Sequence, residues 1–445
     1  MVPSEPLSTI VAIATGPAAG GVGIVRLSGP LALSAARPLA PEAPVSPEPR
    51  RAYFTSFVDA LGRAMDRGLF LFFPAPHSVT GEDVVEFHAH GSPRLLSWLV
   101  ERLLGVSGVR PAEPGEFTRR AYLNGRIDLA RAEAVADLVA ATSEAAVRAA
   151  AAQAAGALSA RVRSLREPLV ELRAELEGAL EFPEEVAAVD AALASRLESL
   201  SAGAEALAHD IGRGRLARRG ARVVLYGPAN AGKSTLFNRL LGEERALVDA
   251  EPGTTRDAVE ARLEIGGLAV TLVDTAGLRE GDGPGRVEAL GIARTLAELK
   301  QADLAVLLLP PGAGEGAARR WTAEAKKVEV LRVAAKADLG TAGACGLAVS
   351  GQTGAGIDGL RRELTARLTG GGIAEAALGA SERHQDAVRR AAEALARGRA
   401  ARAAGALEVV AGELGLAAEA LGEVTGETAS AEVVDAIFRA FCLGK

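Results

Sequence analysis

The chain has 445 residues, 49% hydrophobic and 24% charged, a formal charge of −6 and two cysteines, Cys345 and Cys442. Roughly two to four domains fit in that length. The balance excludes a disordered chain, the acidic charge argues against holding nucleic acid by bulk electrostatics, and two cysteines cannot build a disulfide framework and suit a reducing cytoplasm. No charged start followed by an apolar core marks a signal peptide. No apolar run reaches the ~18 residues of a membrane span, so no membrane is expected.

Residues 1–125 mix short apolar runs with Gly and Pro. STIVAIATG, GVGIVRLSG, GLFLFFPA and EDVVEFHAHG predict strands. SPRLLSWLVERLL predicts a helix with Leu95, Trp98, Leu99 and Leu103 on one face, completing an α+β domain. Residues 126–215 turn Ala-, Glu-, Arg- and Leu-rich and predict helix, with breaks near Pro168 and Pro183. The run AAVRAAAAQAAGALSA keeps helix propensity throughout and predicts packed helix. The stretch from Arg213 to Arg222, RGRLARRGAR, reads as a solvated linker before a strand or as a local basic patch.

Over 216–378, RVVLYG, AVTLVDTAG, DLAVLLL, VEVLRVAA and GLAVSG alternate with helical patterns, which implies a mainly parallel sheet covered by helices. LEIGGLAVTLV predicts a hairpin turning at Gly266 and Gly267. Residues 379–445 return to helix. The expected fold class is therefore α/β plus α+β, with the α/β domain inserted into a helical one. Separate helical domains would produce the same composition.

GPANAGKS, Gly227 to Ser234, fits G-x-x-x-x-G-K-[ST], between the strand RVVLY and the helix STLFNRLL. That context is the one the motif requires. Its glycines let backbone N–H groups curl around phosphate oxygens, and the helix N-terminus adds positive potential. Lys233 would reach the β- and γ-phosphates and the Ser234 hydroxyl would bind Mg²⁺. PGTTRD offers Thr254 and Thr255, a hydroxyl to complete the Mg²⁺ shell. DTAG offers Asp274 to hold Mg²⁺ through water and the Gly277 N–H for the γ-phosphate. In this order the motifs identify a Ras-like GTPase.

The base-reading motif departs from the expected Asn-Lys-x-Asp and reads Ala335-Lys336-Ala337-Asp338. Asp338 can still accept from guanine N1–H and N2–H₂, and the Lys336 stem can lie along the base. The missing amide would contact N7 and tie loops together. Its loss predicts retained guanine preference with binding weaker by about 1 kcal/mol per neutral hydrogen bond. Ser350-Gly351-Gln352 stands where Ser-Ala-x helps read O6. Leu278 occupies the place of the water-orienting glutamine, so an arginine finger from a partner or a bound cation must serve instead. Asn230 can ligate a monovalent cation there, or can simply form a turn.

The whole chain resembles the MnmE (TrmE) family, GTPases that modify the wobble uridine of tRNA. The resemblance rests on GGVGIVRLSG, SVTGEDVVEFHAHG, PGEFTRRAYLNGRIDLARAEAVADLV, the P-loop, PGTTRD, DTAGLR and the terminal CLGK. It implies an N-terminal tetrahydrofolate-binding and dimerisation domain over 1–125, a discontinuous helical domain over 126–215 and 379–445, and an inserted Ras-like G domain over 216–378. It implies a constitutive homodimer whose G domains meet when GTP and K⁺ are bound. It implies an FAD-dependent flavoprotein partner, MnmG, in a heterotetramer or larger complex, and tRNA as the molecule acted upon. Methylenetetrahydrofolate would supply the one-carbon unit, with 5-formyltetrahydrofolate as an analogue.

The resemblance also assigns residues. Contacts to nucleotide and ions would come from Asn230, Ala231, Gly232, Lys233, Ser234 and Thr235. The following loop would add Asp249, Ala250, Glu251, Pro252, Gly253, Thr254 and Thr255. Asp274, Thr275, Ala276 and Gly277, then Lys336, Asp338, Ser350, Gly351 and Gln352, would complete the set. K⁺ would be held by Asn230, Asp249, Glu251 and Thr254, and Mg²⁺ by Ser234 and Thr255. Glu288, after the insert GDGPG, matches the family's catalytic glutamate and lies two residues further from DTAG than expected. With Lys233 and Cys442 it makes the expected catalytic set. Folate would meet Arg26, Glu86, Arg126 and Lys445. Arg126 stands where a lysine is often found, and without the family Arg26 and Glu86 read as a surface ion pair.

The tail bears on three readings of Cys442. Lys445 is a poor final residue for a C-a-a-X lipidation signal and no second membrane signal is evident. A buried thiol and a participant in the modification both remain. His88 and His90 share one face of a strand and suggest a polar patch rather than a metal site. The rival to an enzyme is a GTP-switch binding module such as a ribosome-assembly GTPase. That class would need neither the folate-like motifs nor CLGK.

Overall fold

A computed structural model describes residues 8–182, 186–243, 259–275, 286–325, 328–340, 346–369, 379–441 and 444, with backbone alone at 186–189, 191, 213, 215, 217, 243, 259 and 286–293. In chain order the elements begin with β1 (Thr9–Ile13), β2 (Gly20–Ser28), α1 (Ala32–Ala36), β3 (Tyr53–Val58), β4 (Ala64–Phe73), β5 (Val84–Gly91), α2 (Pro93–Leu104), β6 (Val109–Pro111), α3 (Glu116–Leu123) and α4 (Leu129–Ala140). Three helices follow: α5 (Glu144–Ala154), α6 (Ala157–Glu181) and α7 (Val186–Arg219). Next come β7 (Ala221–Tyr226), α8 (Lys233–Glu243), β8 (Val259–Ile265), β9 (Leu268–Asp274), α9 (Arg286–Gln301), β10 (Leu304–Leu309), α10 (Glu315–Glu324), β11 (Val330–Ala335), β12 (Leu347–Val349) and α11 (Ile357–Thr369). The chain closes with α12 (Glu382–Ala403), α13 (Leu407–Thr425) and α14 (Ala431–Arg439).

The chain forms two compact units. The first is residues 1–136 with 422–445. Its sheet runs β3-β4-β5-β2-β1-β6, antiparallel except for the β1–β6 pair. Side chains alternate across the pleat. Val25, Leu27, Val85, Phe87 and Ala89 enter a core with Leu96, Leu99 and Leu103 of α2, so Arg26, Glu86, His88 and His90 are left on the opposite face. The buried stripe of α2 is Leu96, Leu99 and Leu103, with Leu95 and Trp98 flanking it. This corrects the predicted face by one residue at its first position. Strands β3 and β6 and helix α3 were not predicted.

The C-terminal segment belongs to this unit. Phe438 and Phe441 of the tail are buried with Leu129 and Ala132. The Tyr122 hydroxyl donates to the Gly426 carbonyl at 2.9 Å, and Arg119 pairs with Asp435 at 3.1 Å. Gly444 lies against the end of β1: a β-carbon there would fall 2.1 Å from the Ile13 carbonyl oxygen. Cys442 and Lys445 lie outside the described residues.

The second unit is residues 137–421. Its sheet order is β12-β11-β10-β7-β9-β8, parallel apart from the edge strand β8, which forms the predicted hairpin with β9 about Gly266 and Gly267. One face packs on α8 and α11 through Leu236, Phe237, Leu240, Leu360 and Leu364. The other packs on α9 and α10 through Leu299 and Ala318. A sheet covered on both faces explains why its strands read as unbroken apolar runs.

Three helical expectations need correction. α6 runs through Pro168, because Leu169, Leu172 and Leu176 bury its face and outweigh one lost backbone bond. It ends at Glu181, next to Pro183, as predicted. The Ala-rich run is helical but divided at Gly156, which takes a left-handed φ of 98°. The basic stretch is not a linker. Its residues up to Arg219 continue α7. Arg218 pairs with Asp137, Arg219 with Asp303, and Arg222 with Glu260 and Glu298.

Candidate nucleotide-binding site

The sheet of the second unit has its strand order reversed at β7, whose neighbours β9 and β10 lead to opposite edges. Ligands of open α/β sheets bind at such a point, beyond the carboxyl ends of the strands. GPANAGKS leaves β7 there and opens α8. Gly227 must be glycine, since a β-carbon would fall 2.5 Å from the Leu308 carbonyl oxygen. Asn230 takes a left-handed φ of 61°, a conformation asparagine tolerates, so its turn-forming role is visible in the backbone.

Lys233 is 6% exposed, and its ammonium donates to the carbonyls of Gly227 at 3.3 Å and Pro228 at 3.0 Å. Burial pulls its pKa down, and Asp274 only partly restores it. A buried cation satisfied by two neutral carbonyls is prepared for an anion. The Ser234 hydroxyl donates to Asp274 Oδ2 at 2.6 Å. Asp274 Oδ1 is buried without a partner among the described residues. A hydroxyl and an under-satisfied carboxylate in contact are the oxygen donors a Mg²⁺ ion uses, so these residues fit that ion. Thr275 donates to the Leu225 carbonyl at 2.8 Å and fixes the end of β9 to β7.

A cavity of 160 Å³ adjoins the P-loop. Gly232, Thr235, Ala335, Lys336, Asp338, Ser350, Gly351 and Gln352 line it. Three segments read from the sequence as phosphate and base recognition, the P-loop, Ala335 to Asp338 and Ser350 to Gln352, thus line one cavity, and Asp274 meets the P-loop through Ser234. Ala335 ends β11 and is buried in the core at 3% exposure. Lys336 takes φ 55°, which turns the chain over Gly232, where a β-carbon would meet its stem at 3.8 Å. A β-carbon on Gly351 would lie 2.9 Å from the Leu236 nitrogen and 3.0 Å from the Thr235 carbonyl carbon. The alanine expected there would not fit without a backbone shift.

Residues Asp249, Ala250, Glu251, Pro252, Gly253, Thr254, Thr255, Ala276, Gly277 and Leu278 lie outside the described residues, as does Cys345. Glu288 lies in α9, with its side chain outside them.

The first unit carries a second polar cluster. Arg26 and Glu86 are register partners on β2 and β5. Arg26 Nε donates to Glu86 Oε1 at 2.7 Å, and Glu86 Oε2 bonds His88 Nε2 at 2.8 Å. Burial works to raise the Glu86 pKa, but Arg26 and His88 outweigh it and hold the carboxyl below its ordinary range. The Arg26 guanidinium lies 5.8 Å over the buried Phe117 ring. Arg126 is not drawn into this pair and packs beside Gly81. His90 bonds Asp66 instead, and no cluster of three metal-ligating side chains occurs among the described residues. Arg120 bridges Glu82 and Glu116, and Arg110 also holds Glu116. These residues were missed one by one, although most sit inside motifs that mark the resemblance.

Comparison with known proteins agrees with the geometry. The family model described as the MnmE helical domain matches residues 129–442, and that of the GTP-binding protein TrmE N-terminus matches residues 9–126. A protein of Myxococcus xanthus named tRNA modification GTPase MnmE is 60% identical, covering 98% of this chain and 99% of its own length. One of the same name from Neisseria gonorrhoeae is 41% identical, covering 99% of this chain and all of its own. A crystal structure of Aquifex aeolicus Era bound to GDP and aluminium fluoride is 22% identical over 39% of this chain and 66% of that one, at a TM-score of 0.28, too slight a likeness to argue from. Full-length identity and two adjoining family matches, laid over a P-loop whose serine meets Asp274 of the neighbouring strand, make this chain a member of the MnmE family of tRNA modification GTPases.

Proposed function

We propose that the chain is a K⁺-activated GTPase that, with an FAD-dependent flavoprotein partner, drives carboxymethylaminomethyl or aminomethyl addition at C5 of the tRNA wobble uridine. The observation that carries the reading is the buried Lys233 ammonium beside the Ser234–Asp274 pair, at the carboxyl end of β7. Lys233 and the N–H groups of the P-loop bind the β- and γ-phosphates. Ser234 and Asp274, with Thr255, orient Mg²⁺, which when bound neutralises charge on the transferred phosphate. Asp338 reads the guanine edge, helped by Lys336 and Ser350. Asn230, with Asp249, Glu251 and Thr254, holds K⁺ in the place of an arginine finger. Glu288 positions the attacking water, because Leu278 cannot.

The first unit binds 5,10-methylenetetrahydrofolate in this reading, through Arg26, Glu86, Arg126 and Lys445, and mediates a cytoplasmic homodimer. Support comes from the tail. Gly444 lies against Ile13 of β1, whose register partner on β2 is Val25, the neighbour of Arg26. Cys442 is then close enough in sequence to take part in the modification. No helix among the described residues is long and apolar enough to cross a membrane.

The test is nucleotide turnover by the purified protein, with GTP or ATP, in K⁺ or Na⁺ at equal ionic strength. Turnover of GTP confined to K⁺ supports the reading. Turnover indifferent to the cation removes the K⁺ site, and ATP used as well as GTP removes guanine reading by Asp338. Binding of 5-formyltetrahydrofolate, lost in Arg26→Ala, tests the first unit separately.

A further inference from the structure

The segment 350–356 is a self-bonded loop. The Ser350 N–H donates to the Ala355 carbonyl at 2.9 Å, the Gly354 N–H to the Ser350 carbonyl at 2.9 Å, and the Thr353 N–H to Ser350 Oγ at 3.1 Å. Its internal bonds fix its shape, so the contacts that anchor it set the width of the base cavity it lines. Two contacts join it to α8. Gly351 lies directly on the backbone of Thr235 and Leu236. Arg239 stands four residues beyond Thr235 and so on the same helix face. Its Nη2 donates to the Thr353 carbonyl at 3.3 Å. Its guanidinium fills the space at Gly354, where a β-carbon would fall 2.2 Å from Nη2 and 3.1 Å from Cζ. α8 is also the helix that presents Lys233 and Ser234.

In the expected base-reading motif an asparagine amide ties the loops of the site together. Here that position is Ala335, buried in the apolar core. We propose that Arg239 supplies the missing tie: it is a positioning residue that latches the base-reading loop to the phosphate-binding helix, with Gly351 permitting the close approach. This rests on the guanine reading above. The planar guanidinium suits the task because it can pack under Gly354 and donate to Thr353 at once.

The experiment measures KM and kcat for GTP and the dissociation constants of GDP and ADP, in the full-length protein and in Arg239→Ala, Arg239→Lys and Gly351→Ala. Arg239→Ala raises KM for GTP and the GDP constant about tenfold, the worth of one charge-assisted hydrogen bond. It changes kcat far less, and ADP binding little. The preference for GDP over ADP therefore shrinks. Arg239→Lys recovers part of it, and Gly351→Ala shows the same loss of preference by a different route. An Arg239→Ala protein whose KM and preference stay within about twofold of the parent overturns the proposal. So does one that loses stability and kcat with its preference intact, since that is a merely structural arginine. A parent protein with no preference for GDP over ADP removes the guanine reading itself, and the latch with it.

Discussion

Lys233 is the most buried charge among the described residues of the nucleotide site, and its replacement separates two kinds of role. Lys233→Met keeps the methylene stem and removes the ammonium. In the empty protein two bonds to the Gly227 and Pro228 carbonyls are lost, costing about 0.5–1.5 kcal/mol each. Against that stands relief of a cation whose pKa burial has pulled down. The two effects oppose, so the ligand-free stability should stay within about 2 kcal/mol of the parent. With nucleotide the balance is one-sided. Two charge-assisted bonds to phosphate oxygens, at roughly 1.5–3 kcal/mol each, sum to about 3–6 kcal/mol, or ~10²–10⁴ in affinity. The assay is unfolding of both proteins with and without Mg²⁺ and a non-hydrolysable GTP analogue, which carries both phosphates that Lys233 would reach. The parent is stabilised by ligand and the variant is not. The pH dependence has a fixed sign. A lysine whose folded pKa is lowered weakens the fold while protonated, so the advantage of methionine is greatest at low pH and fades as pH rises towards 10.5, the ordinary lysine value. A variant that loses many kcal/mol without ligand, or keeps the full response to the GTP analogue, would refute this account.

Three further outcomes are expected. Ser234→Ala removes the donor to Asp274 and should raise the Mg²⁺ concentration for half-maximal GTP turnover at least about tenfold, with ligand-free stability changed by no more than ~1.5 kcal/mol; an unchanged Mg²⁺ titration contradicts it. Arg26→Ala leaves Glu86 only His88 and should destabilise the first unit by about 1–3 kcal/mol at pH 7 in urea titrations. Because the Glu86 pKa is held below its ordinary 4.5, that difference is present above 4.5 and vanishes as pH falls through the folded value; an equal difference at both ends of that range argues against a charge effect. Gly115→Ala places a β-carbon 2.6 Å from the Phe438 carbonyl oxygen at a φ of +70°, and should cost more than ~1 kcal/mol; unchanged urea unfolding would show that α14 does not need this approach.

What the sequence disclosed depended on the range of the cause. The second unit was legible because each strand is buried on both faces and so reads as an apolar run, RVVLYG or DLAVLLL, bounded by turn residues. The hairpin at Gly266–Gly267 was legible because both glycines take the positive φ a two-residue turn demands. β3 was missed because Phe54 and Tyr53 are incompletely buried and its pattern is paired only to β4. The run through Pro168 was missed because local propensity cannot weigh the tertiary burial of Leu169 and Leu172 against one backbone bond. The basic stretch before β7 was misread for the same reason: its partners Asp137, Asp303, Glu260 and Glu298 are distant in sequence.

The site divides along the same line. Lys233, Ser234 and Asp274 were legible because a P-loop imposes residue types at fixed spacing, and the chemistry cannot be done otherwise. The departures at Ala335 and Gly351 were also visible, but only as losses. Whether a lost amide weakens the site depends on what else holds its loops, and that is a question of contact. Gly351 shows the difference. Read alone, it is a substitution of a small residue by a smaller one. Beside the Thr235–Leu236 backbone, it is what lets the base-reading loop close on α8. Arg239 carries no motif, and its contact with Thr353 spans 114 residues. A change that looks like damage in one segment is thus matched by an arginine in another, so the penalty expected from Ala335 should be smaller in this protein than one missing hydrogen bond implies.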